Sequence, residues 1–298
     1  MRINTNISAM QANASMAKNS ALAGNSMEKL STGLAINKAG DNAAGLAISE
    51  KMRAQIRGME QADKNVQDGI SLVQTAEGAL SEAGEIVQRM RELGVQAGNS
   101  TLNASDRTNI DAELEQLGEE LIRISDETKF NDQKLFGANA NFTIQSGANN
   151  EVRQIKGIDL LAELKKEHTI KDSTGEDVTV ALVGKDAQID TDGSIKNLSI
   201  DVSTVSKSQA FVGVANKVLE EITTARATLG AQQNRLEATA SNLGTSIENL
   251  SSAESRIRDT DVAKEIVKLS KLNLLTQTSQ SMVAQAKSQP ENVISLLR

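Results

Sequence analysis

The chain of 298 residues carries a formal net charge of −7 and contains no Cys, Trp or Tyr, one His and one Pro. The negative charge argues against nucleic acid as a partner, and the missing cysteines exclude a disulfide scaffold. A single proline, with abundant Ala, Leu, Gln and Glu, favours long helices over a compact enzyme fold.

The N-terminal segment has no apolar stretch of the kind that a general secretory signal peptide needs, and no later run reaches transmembrane length. We therefore expect no membrane insertion, and export, if it occurs, by another route. Apolar residues recur there at alternating three- and four-residue spacing, which predicts a helix with a coiled-coil seam. These residues are Ile3, Ile7, Met10, Ala14, Ala17 and Ala21.

Gly33 and Gly40 predict a break after this helix. A second helical pattern follows from about residue 43 to residue 97. A third helix is predicted after residues 103–106, which suit an N-cap. Its apolar positions alternate at four and three residues: Ile110, Leu114, Leu117, Leu121 and Ile124.

Residues 128–205 differ in composition from the helical segments and contain three of the four Phe, at positions 130, 136 and 142. Apolar and polar residues alternate over 178–182 and 198–202, which predicts short strands. Asp192-Gly193 lies between Ile189 and Ile195 and predicts a hairpin turn.

The strongest periodic signal lies late in the chain and predicts a left-handed supercoil against neighbouring helices. Six apolar residues stand seven apart: Ile222, Leu229, Leu236, Leu243, Leu250 and Ile257. A last helix is predicted from Val262, with Pro290 ending or kinking it. Its apolar positions, with the patch that follows, include Ile266, Leu269, Leu272, Leu275, Val283, Leu296 and Leu297.

These patterns predict a mainly α protein: a long coiled-coil helical hairpin or bundle with paired N- and C-termini and a small central insertion rich in β-hairpins. The terminal segments are rich in Ala, and apolar burial contributes only roughly 25 cal/mol per Å². Ordering a residue costs about 1–2 kcal/mol. We therefore expect residues 1–40 and 262–298 to be mobile in the free subunit and to become helical when many copies pack together.

No pattern of residues indicates catalysis, a cofactor or a metal. His168 has no second His or Cys near it, and Asp190, Asp192 and Gly193 form only a fragment of a calcium loop. The adjacent pairs at 119–120 and 220–221 are Glu residues that point in different directions on a helix. We expect a protein that is not an enzyme.

Five segments resemble the signature regions of bacterial flagellins, most closely those of the short, Bacillus-like Gram-positive type. They are LSTGLAINKAGDNAAGLAIS (30–49), QIRGMEQADKNVQDGISLVQTAEGAL (55–80), TKFNDQKLF (128–136), LGAQQNRLEATASNL (229–243) and SSAESRIRDTDVAKEI (251–266). The resemblance covers about residues 1–150 and 206–298.

The resemblance implies a secreted, extracellular structural subunit that polymerises into the flagellar filament for swimming motility. It implies an inner filament-core domain (1–42 plus 262–298), an outer helical domain with a β-hairpin (43–150 plus 206–261) and a variable exposed segment (151–205). Filament-core assembly is assigned to Ile3, Ile7, Met10, Ile266, Leu269, Leu272, Leu275, Val283, Leu296 and Leu297.

The resemblance also implies partners: many copies of the chain itself, flagellar cap and hook-junction proteins, the type III export apparatus and a cytosolic export chaperone at the C-terminal helices. Residues 88–96, QRMRELGVQ, resemble the patch that the vertebrate Toll-like receptor for flagellin engages. Arg89 and Leu93 match central contacts there, and Glu113 matches an acidic contact on the adjacent helix. Gln88, Arg91 and Glu92 complete the patch.

The sequence leaves three alternatives open about the function of the chain and of its charged patch. The patch at 88–96 suits axial packing between subunits at least as well as receptor binding. The chain could be a hook–filament junction protein, which shares the terminal signatures, although the full match over 30–49 favours flagellin. An enzyme carried on a flagellin frame would need its active domain within residues 140–205, which lack convergent His, Cys or Ser chemistry.

Overall fold

A computed structural model describes residues 6–137, 140–166, 168–171, 177–183, 188–189, 195–196 and 200–296. Its helices are α1 (Ile7–Thr32), α2 (Ala43–Ala97), α3 (Ala104–Glu127), α4 (Leu160–Lys165), α5 (Val205–Arg258) and α6 (Val262–Leu296). Its strands are β1 (Lys129–Phe130), β2 (Gln133–Lys134), β3 (Asn141–Gln145), β4 (Val152–Lys156), β5 (His168–Lys171), β6 (Asp177–Val180), β7 (Gln188–Ile189) and β8 (Ile195–Lys196). The predicted mainly α class with small β-hairpins is confirmed.

The chain forms two compact units. The terminal unit combines the chain up to Arg57 with the chain from Ser246 onward, and the central unit is Gly58–Thr245. These divisions fall inside α2 and α5 and not at residues 42 and 262. The predicted three-part division concerns layers of an assembly and stays a prediction.

In the terminal unit, α1 and α6 pair in antiparallel fashion. At one end Asn6 caps α1 by accepting from the Ala9 amide (3.1 Å), and its Nδ2 donates to the carbonyl of Ala286 (2.6 Å). At the other end α1 stops at Gly33, in the left-handed region at φ 74°, and the Thr260 amide donates to the Gly33 carbonyl (2.9 Å). The predicted pairing of the chain's two ends is confirmed.

The seam between these two helices combines small and polar side chains with a few larger apolar ones. On each helix the positions that are not exposed alternate at three and four residues, the spacing of a coiled coil. On α1, as far as Ser26, they are Ala9, Ala12, Met16, Asn19, Ala23 and Ser26. On α6 they are Glu265, Leu269, Leu272, Thr276, Ser279, Val283 and Ala286.

The predicted N-terminal seam is therefore not the face of α1 that pairs with α6. Ile7, Met10, Ala14, Ala17 and Ala21 are all exposed, on the side of α1 away from α6; Ile3 lies outside the described residues. α1 has two apolar stripes, and the sequence pattern favoured the one with the larger side chains. Small residues form the inner stripe because they let the two backbones approach closely.

The central unit has a continuous aliphatic core between α2, α3 and α5. Its fully buried side chains include Val66, Val73, Leu80, Val87, Leu114, Leu121 and Phe211. Of the predicted seven-residue repeat, Ile222, Leu229, Leu236 and Leu243 are buried here. The predicted N-cap of α3 is confirmed as a capping box: Asn103 accepts from the Asp106 amide (2.9 Å), and Asp106 accepts from the Asn103 amide (3.2 Å).

The described strands form four antiparallel hairpins, β1–β2, β3–β4, β5–β6 and β7–β8. The pairing of Ile189 with Ile195 confirms the predicted hairpin, whose turn residues lie outside the described part. The predicted strand at 198–202 is wrong where it is described: Ile200 and Val202 are buried but unpaired. The Val202 amide donates instead to Asp111 (3.0 Å). The segment leads directly into α5.

Pro290 does not end the last helix, as the sequence predicted it could. The backbone of α6 stays helical to Leu296. A proline removes its own N–H from the helical ladder and crowds the carbonyl four residues earlier, which weakens the helix, but the remaining hydrogen bonds carry α6 past it.

Candidate functional site

The surface of the terminal unit carries an outward apolar stripe on each helix. The α1 stripe comprises Ile7, Met10, Ala14, Ala17 and Ala21, with Ile7 63% and Met10 64% exposed. Large apolar side chains this open to water mark an interaction surface when they are contiguous.

The α6 stripe is built of larger side chains. It comprises Ile266, Val267, Leu274, Leu275 and Met282, of which Val267 is 69% and Leu274 65% exposed. Ile266, Val267 and Leu274 line one shallow groove along α6. Leu275 and Met282 line a second groove, opposite Ser8, Gln11, Ala12 and Ser15 of α1.

The terminal unit buries few large apolar side chains within itself. In its described part, the buried aliphatic side chains larger than Ala are Ile36 and Leu272. The same unit exposes the two stripes, so much of its apolar surface is still open to water. This imbalance fits a module completed by other molecules.

The residues that the resemblance assigned to filament-core assembly fall into two groups. Ile7, Met10, Ile266 and Leu275 lie on the outward stripes, whereas Leu269, Leu272 and Val283 face the seam. Ile3, Leu297 and the side chain of Leu296 lie outside the described residues.

The signature segment 30–49 builds the turn between α1 and α2. The Asp41 carboxylate accepts from the amides of Lys38 (3.0 Å) and Asn37 (3.1 Å), and these bonds lower the pKa of Asp41 below its usual value. Asn42 caps α2 by accepting from the Gly45 amide (2.9 Å). A Cβ at Gly45 would lie 2.8 Å from Ile36 Cδ1, so a larger residue there would require Ile36 to shift.

The turn is held against the junction of α5 and α6. Leu34 pairs with Asp259, and the Ala35 amide donates to the Arg258 carbonyl (2.7 Å). The Arg258 side chain is almost buried and contacts Glu50 of α2. Sequence reasoning missed this pair, although both members lie in or next to the two signature segments.

The predicted patch at 88–96 is a set of exposed charged side chains. Arg89 Nη2 donates to Glu113 Oε1 (2.8 Å), and its Nη1 donates to Glu92 Oε2 (3.4 Å). The bond to Glu113 is the main cause that raises the pKa of Arg89. Gln88 is exposed and Arg91 half-buried on the same turns.

Leu93 does not belong to this exposed set. It is 2% exposed and lies in the core of the central unit. The role of Leu93 as a surface contact is thus corrected to a packing role. Its position three residues after the buried Met90 was the signal that could have revealed this.

None of the described helices is long and apolar enough to cross a membrane. Among the described residues, no group of three or more His, Cys, Asp or Glu is placed to hold a metal ion.

Two long helices paired through a weak seam, with larger apolar side chains turned outward, define a self-assembling helical subunit. Family models give the class a name: the bacterial flagellin N-terminal helical region matches residues 3–141, and the C-terminal helical region matches residues 212–297. The chain belongs to the flagellin family and is a structural subunit of the flagellar filament, which this family forms outside the cell.

The full-length matches include two flagellins of the Bacillus-like type. The flagellin of Halalkalibacterium halodurans is 45% identical over 300 residues, covering 100% of both chains. That of Bacillus subtilis is 44% identical over 315 residues, again covering 100% of both. A solved structure from Vibrio parahaemolyticus, assigned as a flagellar hook-associated protein, is 11% identical with a TM-score of 0.56, covering 74% of this chain and 100% of that one. It supports the fold alone.

Proposed function

We propose that the outward stripes of α1 and α6 are the surfaces through which copies of this chain pack in the filament core. The observation that carries the proposal is the exposure of Val267 and Leu274, at 69% and 65%, on a helix whose inner face is already paired. Packing against further copies removes this area from water, and many such contacts add up along a filament.

The test places a charge on the stripe. Leu274→Asp introduces a carboxylate that assembly would have to desolvate, so the purified subunit should fail to form filaments in electron micrographs. Asn273→Asp is the matched control, because it adds the same charge at the exposed neighbouring position and should polymerise like the parent. Filaments of normal length from Leu274→Asp would overturn the proposal.

Residues 1–40 and 262–298 order on assembly in this proposal. Their seam, as far as it is described, has only one buried apolar side chain larger than Ala, Leu272, and so buries little apolar area, whereas ordering each residue costs about 1–2 kcal/mol. Their amides should exchange rapidly in the dilute subunit and slowly in the filament. Full protection of both segments in the dilute subunit would contradict this part.

Deleting residues 262–298 tests the same idea independently. Polymerisation should be lost, while the central unit keeps its thermal unfolding transition because its core lies entirely between residues 62 and 243. Normal filaments from the deletion variant would remove α6 from the assembly surface.

The remaining partners follow from the same exposed helices. An export chaperone needs an apolar helical face in the unassembled subunit, and the α6 stripe offers one. Cap and hook-junction proteins are proposed to contact the ends of the filament through the same terminal unit. We also propose that the chain is exported by the type III route and that it has no catalytic activity. Co-purification of a chaperone with the parent but not with Leu274→Asp would support binding of the chaperone to the α6 stripe.

A second role concerns the charged patch on α2 and α3. Arg89, Glu92 and Glu113 form an exposed, connected cluster that suits either axial packing between subunits or recognition by the vertebrate Toll-like receptor for flagellin. Arg89→Ala should lower receptor signalling by the free subunit. Unchanged signalling with shortened filaments would assign the patch to packing alone.

A further inference from the structure

The methionines of this chain are unevenly placed. The sequence contains eight Met and no Cys, Trp or Tyr, so Met is its main side chain open to mild oxidants. Met10, Met27 and Met282 are 64%, 58% and 58% exposed, and all three lie on α1 or α6.

The other described methionines are less accessible. Met90 is fully buried in the core of the central unit. Met16, Met52 and Met59 are half-buried, Met16 within the seam between α1 and α6. Met1 lies outside the described residues. The sulfur atoms most open to an oxidant are therefore on the helices of the proposed assembly surface.

Two of the three lie on the proposed assembly surfaces, and the third lies beside the helix seam. Met10 belongs to the α1 stripe, and Met282 lines the groove between α1 and α6 together with Leu275. Met27 follows the seam residue Ser26 and lies at the edge of the helix pair. A thioether suits such contacts because it is flexible and apolar, and its sulfoxide is polar and does not.

We propose that Met10, Met27 and Met282 form an oxidation-sensitive site: a peroxide converts them to sulfoxides in the free subunit, which blocks assembly, and assembly in turn shields them. The sulfur lone pair attacks one peroxide oxygen and the O–O bond breaks. Sulfur is oxidised by two electrons, the other oxygen leaves as hydroxide, and the proton of the transferred hydroxyl passes to that hydroxide to give the sulfoxide and water. The inference rests on the proposed assembly role of the two stripes.

Mass-spectrometric peptide mapping after a timed exposure to hydrogen peroxide tests the accessibility. In the dilute subunit Met10, Met27 and Met282 should be modified first and Met90 last. In preformed filaments the same three should react at least about tenfold more slowly, since burial excludes the oxidant. Equal rates in subunit and filament would overturn the shielding.

Polymerisation of the oxidised subunit tests the consequence. The critical concentration should rise at least about tenfold, the scale set by losing the burial of a single large apolar side chain. Methionine sulfoxide reductases acting on the subunit should restore it, which separates this effect from irreversible damage. An oxidised subunit that assembles at the parent's critical concentration would refute the proposal.

Leucine substitutions assign the effect to these positions. The triple variant Met10→Leu/Met27→Leu/Met282→Leu keeps apolar bulk without the sulfur and should polymerise after peroxide treatment. The control variant Met52→Leu/Met59→Leu should stay sensitive. Equal sensitivity of the two variants would place the effect elsewhere. Should the triple variant not assemble even untreated, the reductase experiment on the parent decides.

The two proposals fail in different ways. If Leu274→Asp polymerises normally, the stripe is not the assembly surface. If Leu274→Asp fails to polymerise but the oxidised parent assembles, the stripe stands and the methionine site falls.

Discussion

Arg258, at the end of α5, donates a hydrogen bond of 2.5 Å from Nη1 to Oε1 of Glu50 in α2. The two side chains are unequally exposed, at 11% for Arg258 and 50% for Glu50. The bond is the main cause that lowers the pKa of Glu50. The guanidinium depends on its partner more than the carboxylate does, since a buried charge without a partner is costly.

Removing either partner should therefore have unequal effects. Glu50→Ala leaves an almost buried cation unpaired and should speed amide exchange of residues 46–54, relative to intrinsic rates, more than Arg258→Met does. Because the folded pKa of Glu50 lies below its ordinary value, the stabilisation is present above that value and is lost as the pH falls through the folded pKa. The parent should show this acid dependence and Glu50→Ala should not. Equal effects of the two variants would contradict the asymmetry.

Leu93 should behave as a core residue and Arg89 as a surface one. Leu93→Ala removes a side chain that is 2% exposed and should lower the free energy of unfolding of the central unit by about 3 kcal/mol. Arg89→Ala breaks an exposed ion pair and should leave it close to the parent value. Denaturant unfolding followed by circular dichroism measures both. A stable Leu93→Ala variant would mean that the side chain is not packed.

Gly94 should not tolerate the alanine that helix propensity favours. An added Cβ would lie 2.8 Å from Phe211 Cδ1 and 3.0 Å from Val212 Cγ2. Alanine gains about 1 kcal/mol as a helix former, but overpacking costs about 1–3 kcal/mol. Gly94→Ala should thus destabilise the central unit by about 1 kcal/mol, whereas Gly78→Ala should stabilise it, because nothing lies within 4 Å of a Cβ there. If Gly94→Ala stabilised the unit as Gly78→Ala does, the close approach of Phe211 and Val212 to Gly94 would be refuted.

Asp201 should stabilise the central unit only above strongly acidic pH. Burial raises its pKa, but hydrogen bonds from Lys207 and Ser203 outweigh burial and lower it to about 2. A folded pKa below the unfolded value of 3.8 gives stability that is present above 3.8 and lost as the pH falls towards 2.

The matched variant is Asp201→Asn, which keeps an oxygen to accept from the Ser203 amide. At pH 7 it should lower the free energy of unfolding by about 1 kcal/mol, after discounting for the half-exposed side chain. The difference should shrink as the pH falls below 3.8 and vanish only below about pH 2. A difference independent of pH would show that the ion pair with Lys207 does not contribute.

The sequence predicted those parts of the fold where large apolar side chains repeat against a filled core. The repeat from Ile222 to Leu243 could be assigned to one face because those leucines have no competing stripe. α1 offered two stripes, and spacing alone could not decide between them. Which stripe of α1 packs inward depends on how closely α6 approaches it, and both helices together set that distance.

The patch at 88–96 shows the same limit at the level of single residues. Arg89 and Glu113 were predicted together and do form an ion pair, because charged side chains on adjacent helices keep to the surface. Leu93 was assigned to the surface by resemblance, but its exposure is decided by α5 packing on α2, with Phe211 against Gly94. Within 88–96, only the three-residue spacing from Met90 to Leu93 indicates a buried position.

The opposed faces of α1 separate two kinds of genetic defect. With the packing proposed above, a change at Ala12 or Ala23 should disturb the polypeptide that carries it, whereas a change at Met10 or Ala17 should disturb its contacts with neighbouring copies. A defect of the second kind should be suppressed by a compensating substitution on a different polypeptide. In mixed populations, subunits with such a defect should also impair the assembly of intact subunits, and this loss identifies them.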